Sequence, residues 1–157
     1  MIHIFDLDKT LWDTQDRHGN SIWAKQMIFP FVKINEDKIL DDVYSYCTLR
    51  KGVRSFIKKL YDAKHQIGFI SNARHHDFSD EYQPSLELLK MFGIWDYFNS
   101  IKILQYKTKS KAVHLNQFQT PVIFYDDDVK IRSEVSHLQN ITVIDSSNIF
   151  NWDSYND

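Results

Sequence analysis

IHIFDLDKTLW, residues 2 to 12, decides how this chain is read. An apolar run over residues 2–5 ends at two aspartates one residue apart, Asp6 and Asp8, with Lys9 and Thr10 next. Four consecutive apolar or aromatic-sized side chains suit a strand buried on both faces. Four more runs of that kind stand at residues 67–70, 101–104, 122–125 and 141–144. Between them the period changes to that of helices. Val53, Phe56, Ile57, Leu60 and Tyr61 follow one helical stripe, Ile131, Val135 and Leu138 another, and Leu86, Leu88, Leu89 and Phe92 run into Gly93, a helix stop. Strands alternating with helices predict an α/β fold: a Rossmann-like three-layer α/β/α sandwich around a parallel sheet.

Residues 13–50 break the alternation. Gly19, Asn20, Pro30 and a polar turn at 35–37 interrupt any long period, which predicts an insertion of loops or a small hairpin after the first strand. The 157 residues are read as one domain. The polar tail from Ser146 is expected to be partly loose, with Phe150 and Trp152 as possible tethers.

Net charge is −2 with both signs interspersed, so bulk electrostatics argues for neither nucleic acid nor membrane as partner. No apolar run approaches the roughly eighteen residues of a membrane span, and Met1 leads directly into a strand; a cytoplasmic location is expected. Cys47 is the only cysteine, which excludes an internal disulfide and fits a reducing compartment. A thiolate phosphatase nucleophile would need an arginine six residues on. Val53 stands there and Arg54 misses by one, so Cys47 reads as a half-buried structural thiol.

In an open α/β sheet, ligands sit at the carboxyl ends of the strands, where Asp6 and Asp8 lie. The second apolar run ends in ISNAR with Ser71 and Asn72, the fourth in VIFYDDD with Asp126, Asp127 and Asp128, and KTKSK follows the third with Lys107, Lys109 and Lys111. Converging carboxylates repel one another unless a cation is present, and an all-oxygen donor set suits Mg²⁺ rather than Zn²⁺. Magnesium, a hydroxyl and a lysine around an aspartate are what phosphoryl transfer requires, with one aspartate as in-line nucleophile and a second as general acid and base.

DLDKT, the strand-ending ISN, the lysine and the strand-ending DD, in that order, resemble the four motifs of the haloacid dehalogenase superfamily. Within it the chain is most similar to the magnesium-dependent phosphatase family, whose first motif reads DLDxTLW; Asp6, Leu7, Asp8, Thr10, Leu11 and Trp12 match. SKAVH at 110–114 matches the lysine and histidine of that family with Lys111 and His114. The resemblance implies Asp6 as nucleophile and metal ligand, and Asp8 as general acid and base that lends its backbone carbonyl to the metal. Thr10 would stabilise the turn. Thr10, Ser71, Asn72 and Lys111 form the implied substrate-binding set, with Lys111 neutralising the transferred group. Asp126 and Asp127 would divide between them a metal-ligating role and the orienting of Lys111, an assignment that stays open between the two. Position 72 departs from the pattern, being Asn where the family tends to have Arg, with Arg74 the candidate to replace it, and the resemblance implies that an insertion at 13–50 without helical periodicity leaves the site cap-less or minimally covered.

Blander readings stand beside these. Asp128 fits a helix N-terminus. His75 and His76 fit a surface loop, and His114 a packed helix position. Trp23, Phe29, Phe31 and Tyr44 fit a local core, with Trp12 at the entrance. The expected activity is a magnesium-dependent phosphomonoesterase acting on a phosphorylated small molecule or protein side chain through an aspartyl phosphate on Asp6. A metal-dependent nuclease or phosphodiesterase and a non-catalytic phosphate-binding module are the alternatives. The basic stretches are too short and scattered for a nucleic-acid groove.

Overall fold

The computed structural model describes residues 1–155; the last two residues of the expected loose tail lie outside it. In chain order the elements are β1 Ile2–Phe5, β2 Trp12–Gln15, β3 Ser21–Ile22, β4 Val32–Asn35, β5 Lys38–Leu40, β6 Tyr46–Leu49, α1 Val53–Asp62, β7 Gln66–Ser71, α2 Pro84–Met91, β8 Lys102–Leu104, α3 Ala112–Leu115, β9 Val122–Asp126, α4 Val129–Val135 and β10 Ile141–Asp145. The five strands expected from the apolar runs form one parallel sheet in the order β10-β9-β1-β7-β8.

Every residue of β1 is buried. Its neighbours on both sides are parallel strands, with Phe5 level with Phe69 on β7 and with Tyr125 on β9. Alternation along the strands divides the core in two. Phe5, Ile67, Phe69 and Tyr125 pack with Val53, Phe56, Ile57 and Leu60 of α1 and with Leu88 and Leu89 of α2. Ile2, Ile4, Ile70, Val122 and Phe124 pack with Leu115 of α3 and Val135 of α4 on the other face. Helices therefore cover both faces, as a buried parallel sheet requires. Gly68 sits where the chain at Ile101 crosses: a Cβ there would lie 2.5 Å from the Ile101 carbonyl oxygen.

Residues 12–49 hold more regular structure than the loops or small hairpin expected. They form a second sheet, antiparallel, in the order β3-β2-β6-β5-β4. The period was hidden because β3 has two residues and β4 leaves all four side chains exposed, Val32 and Ile34 included. Its inner residues Ile39, Cys47 and Leu49 join the same apolar cluster as Phe5 and α1. Cys47 is completely buried rather than half-buried, and burial pushes its thiol pKa well above the ordinary range, the reverse of what a nucleophile needs. In the tail Trp152 is buried against Phe5, Phe56 and Tyr125, while Phe150 is 86% exposed and tethers nothing. Among the described residues no helix is long and apolar enough to cross a membrane.

Candidate active site

β1 is followed in sequence by connections to β7 and β8 on one side and then to β9 and β10 on the other, so the direction of winding reverses at β1. The carboxyl ends of β1, β7 and β9 meet at that reversal, the usual place for a ligand crevice. Asp6 continues β1 by one further bond, its N–H donating to the Tyr125 carbonyl at 2.8 Å. The chain then folds tightly: the N–H groups of Thr10 and Leu11 both donate to the Leu7 carbonyl, and Lys9 takes a left-handed φ of 61°. A pocket of about 140 Å³ opens here, lined by Asp6, Asp8, Ser71, Asn72, Lys111 and Asp126 to Asp128, with Trp23, Lys25 and Lys107 among its other walls. A larger groove of about 750 Å³, near Arg50 and Arg54, is lined by Asp13, Asp37 and Asp153 and by none of the carboxylates of this pocket. It lacks the convergence of groups that chemistry needs.

The centre of the site is an ammonium among carboxylates. Lys111, 2% exposed, donates from Nζ to Asp126 Oδ2 at 2.7 Å and to Asp6 Oδ1 at 3.1 Å. Burial opposes its charge, but Asp6 and then Asp126 outweigh that and raise its pKa above the ordinary lysine value. Asp126 is fully buried, and its second oxygen accepts from the Asp128 N–H at 3.0 Å. Burial pushes the Asp6 carboxyl up to about 7, with Lys111 pulling it down and Asp127 pushing it up again. Burial also pushes Asp126 up to about 7, helped by Asp6. Asp127 is raised as well, first by its own burial. Three carboxylates crowd around one ammonium, and all three have pKa values raised above the ordinary carboxylate range.

A divalent cation would offset the crowded negative charge. The ligand oxygens of Asp6, Asp126 and Asp127 lie within 4.8 Å of one another. The set is all oxygen and fits a hard cation such as Mg²⁺. Each oxygen of Asp126 accepts one protein donor, and Asp6 Oδ1 accepts from Lys111. His75, His76 and Asp77 form a second close group, away from the pocket lining and on an exposed loop, as the surface reading of the histidines expected.

Asp8 is held apart from this cluster. Its Oδ1 accepts from the Trp12 indole N–H at 2.9 Å and from the Ala24 backbone N–H at 3.1 Å. Burial raises its pKa, against the pull of the Trp12 hydrogen bond. Two expectations change here. Trp12 is completely buried and orients Asp8 instead of lining the entrance, a position held by the 46% exposed Trp23. The insertion supplies Ala24, from a short 3-10 turn, as a direct donor to the site.

Thr10 is also placed differently from the implied substrate-binding set. It does not line the pocket; its hydroxyl is completely buried and pairs with Ser146 Oγ at 2.7 Å, tying the turn after β1 to the end of β10. Ser146→Ala should leave the Thr10 hydroxyl unpaired and cost about 1–3 kcal/mol of stability. Urea unfolding measures it, and a loss below about 0.5 kcal/mol, the range of an ordinary surface change, would deny the bond any structural role.

Ser71 is buried, and its Oγ accepts from the Ala73 N–H at 3.3 Å, so its own proton remains available to the pocket. Arg74 does not stand in for Asn72: it pairs with Asp80 and lies over the Tyr106 ring, outside the pocket lining. Asp128 is the N-cap of α4, accepting from the N–H groups of Lys130 and Ile131. Phe29 and Phe31 stack on each other at 4.3 Å in a local cluster with Phe78 and Tyr82, whereas Tyr44 is 66% exposed and belongs to no core.

A comparison with protein families matches residues 1–155 to the family described as Acid Phosphatase. No curated protein matches the chain.

Proposed function

The chain belongs to the acid phosphatase family, of the haloacid dehalogenase type, and from that membership we propose that it is a magnesium-dependent phosphomonoesterase working through an aspartyl phosphate on Asp6. The observation that carries the reading is the division of labour between two carboxyl groups two residues apart. Asp6 is joined to Lys111 and the acidic cluster, while Asp8 is hydrogen-bonded by Trp12 and Ala24; burial raises the pKa of both, and what differs is their partners. Neighbouring carboxyls with different partners can divide the work, one as nucleophile beside the cation and one as acid.

In the proposed reaction the Asp6 carboxylate attacks phosphorus, the ester P–O bond breaks, and Asp8 gives its proton to the departing oxygen. Asp8, now ionised, takes a proton from water as that water attacks the aspartyl phosphate; the phosphoryl–Asp6 bond breaks and inorganic phosphate leaves. Lys111 offsets charge on the phosphoryl oxygens, and Ser71 donates its hydroxyl proton to one of them. Asp126 keeps Lys111 in place. Asp6 and Asp127 would hold Mg²⁺, which supplies further neutralisation of the phosphoryl charge when bound. The pocket is the size of a phosphoryl group with part of its ester, and the leaving group would extend past Trp23 and Lys25.

Release of p-nitrophenol from p-nitrophenyl phosphate tests this, with Mg²⁺ and with EDTA. Turnover that depends on Mg²⁺ is expected. Equal turnover in EDTA would remove the cation role given to Asp6 and Asp127, and no turnover of this or of any other phosphate monoester by folded protein would remove the activity itself.

A further inference from the structure

Gln105 follows β8 and is clipped to the site by its backbone: its N–H donates to the Ser71 carbonyl at 2.8 Å and its carbonyl accepts from Arg74 N–H at 3.2 Å. Its side chain is buried and fully engaged. Nε2 donates to the Lys109 carbonyl at 3.0 Å and to Asn72 Oδ1 at 3.0 Å, and Oε1 lies 2.7 Å from His114 Nε2. A backbone carbonyl can only accept, so the Lys109 contact settles which end of the Gln105 amide is nitrogen. Oε1 must then accept from His114, which requires a proton on Nε2. Asn72 Oδ1 must accept from Gln105, which leaves Nδ2 as the branch of the Asn72 amide free for the pocket that Asn72 lines.

We propose that Gln105 and His114 are positioning residues that hold the amide of Asn72, already in the implied substrate-binding set, with its Nδ2 donor toward the phosphoryl oxygens of the substrate. The proposal rests on the phosphatase reading for its substrate but not for its ligand, since any tetrahedral phosphate anion in the pocket would meet the same donor. Gln105→Glu replaces the donor facing Asn72 Oδ1 with an acceptor. The Asn72 amide then gains by turning over, and its oxygen would face the anion.

The test measures the affinity of the full chain for inorganic phosphate by calorimetry in Mg²⁺, with KM and kcat for p-nitrophenyl phosphate beside it. Gln105→Glu should weaken phosphate binding and raise KM by about tenfold or more, the usual scale for a hydrogen bond to a charged group, with a smaller change in kcat. Asn72→Ala should weaken binding similarly, and adding Gln105→Glu to it should do nothing more. Imidazole nitrogen shifts should show His114 protonated on Nε2. Unchanged phosphate affinity in Gln105→Glu, an equal further loss in the Asn72→Ala background, or the opposite His114 tautomer would each overturn the proposal. Should Gln105→Glu fail to fold, Asn72→Asp swaps the same donor for an acceptor at the pocket wall and is read by the same affinity. Phosphate affinity that drops as expected in a protein without turnover would sink the phosphatase reading and leave this one standing.

Discussion

Asp6→Asn is expected to abolish turnover, by at least about a thousandfold, while the protein stays folded. The amide has nearly the shape of the carboxyl, but its oxygen is a poor nucleophile and it forms no stable phosphoryl ester. Lys111 keeps its 2.7 Å bond to Asp126, so the centre of the site retains its cation. Stability should move the other way from activity. Asp6 holds its proton up to about 7 in the folded chain and only to about 3.8 without burial. Between those values the native state binds more protons than the unfolded one, so the group costs stability as pH rises through that window. Asn carries no such proton. The variant should therefore equal or exceed the parent in thermal stability at pH 8 and lose part of the parent's decline between pH 5 and pH 8. Parent-like turnover in Asp6→Asn would end the covalent mechanism; a variant markedly less stable than the parent at pH 8 would contradict the charge crowding at the site.

The parts of this molecule that could be read in its sequence are those where one physical demand acts alone. The central strands β1, β7 and β9 are mostly buried and the edge strands β8 and β10 partly covered, so each shows as a short apolar run, and all five were legible. The helical stripe of Val53, Phe56, Ile57 and Leu60 was legible for the same reason. The antiparallel sheet was not, because its outer strand β4 buries nothing and its pattern reads as loop. At the site, Asp6, Asp8 and the 126–127 pair announced themselves as strand-end charges, Lys111 was singled out from Lys107 and Lys109 by the resemblance, and the structure brings all of them to one pocket. Their partners did not. Ala24 donates from its backbone, which no side chain records, and Ser146 meets Thr10 across 136 residues of chain. Trp12 was visible as a motif residue, but its indole N–H is aimed inward at Asp8, a direction that spacing cannot reveal.

Lys111→Met should lose activity and also destabilise the fold, by about 3–5 kcal/mol at pH 8. Methionine fills similar length without charge, so little cavity is left; what remains is Asp126, fully buried, with only the Asp128 N–H as donor, beside Asp6. Against a total stability of about 5–15 kcal/mol for a domain, that loss is a large fraction. Its pH dependence separates charge from packing. The folded-state pKa of Lys111 lies above 10.5, so the lysine's own contribution is complete below that value and is lost only above it; nothing about the ammonium changes between pH 5 and pH 8. The carboxylates do change, because Asp6 and Asp126 already hold protons up to about 7 with the lysine present and would hold them higher without it. At pH 5 the variant carries neutral carboxyls that need no counter-ion, and its deficit should shrink well below the pH 8 value. Urea unfolding of parent and variant at the two pH values measures this directly. A deficit equal at both would mean that Lys111 acts by filling space, and the electrostatic account of the site, with the cation role that follows from its excess of carboxylates, would have to be abandoned.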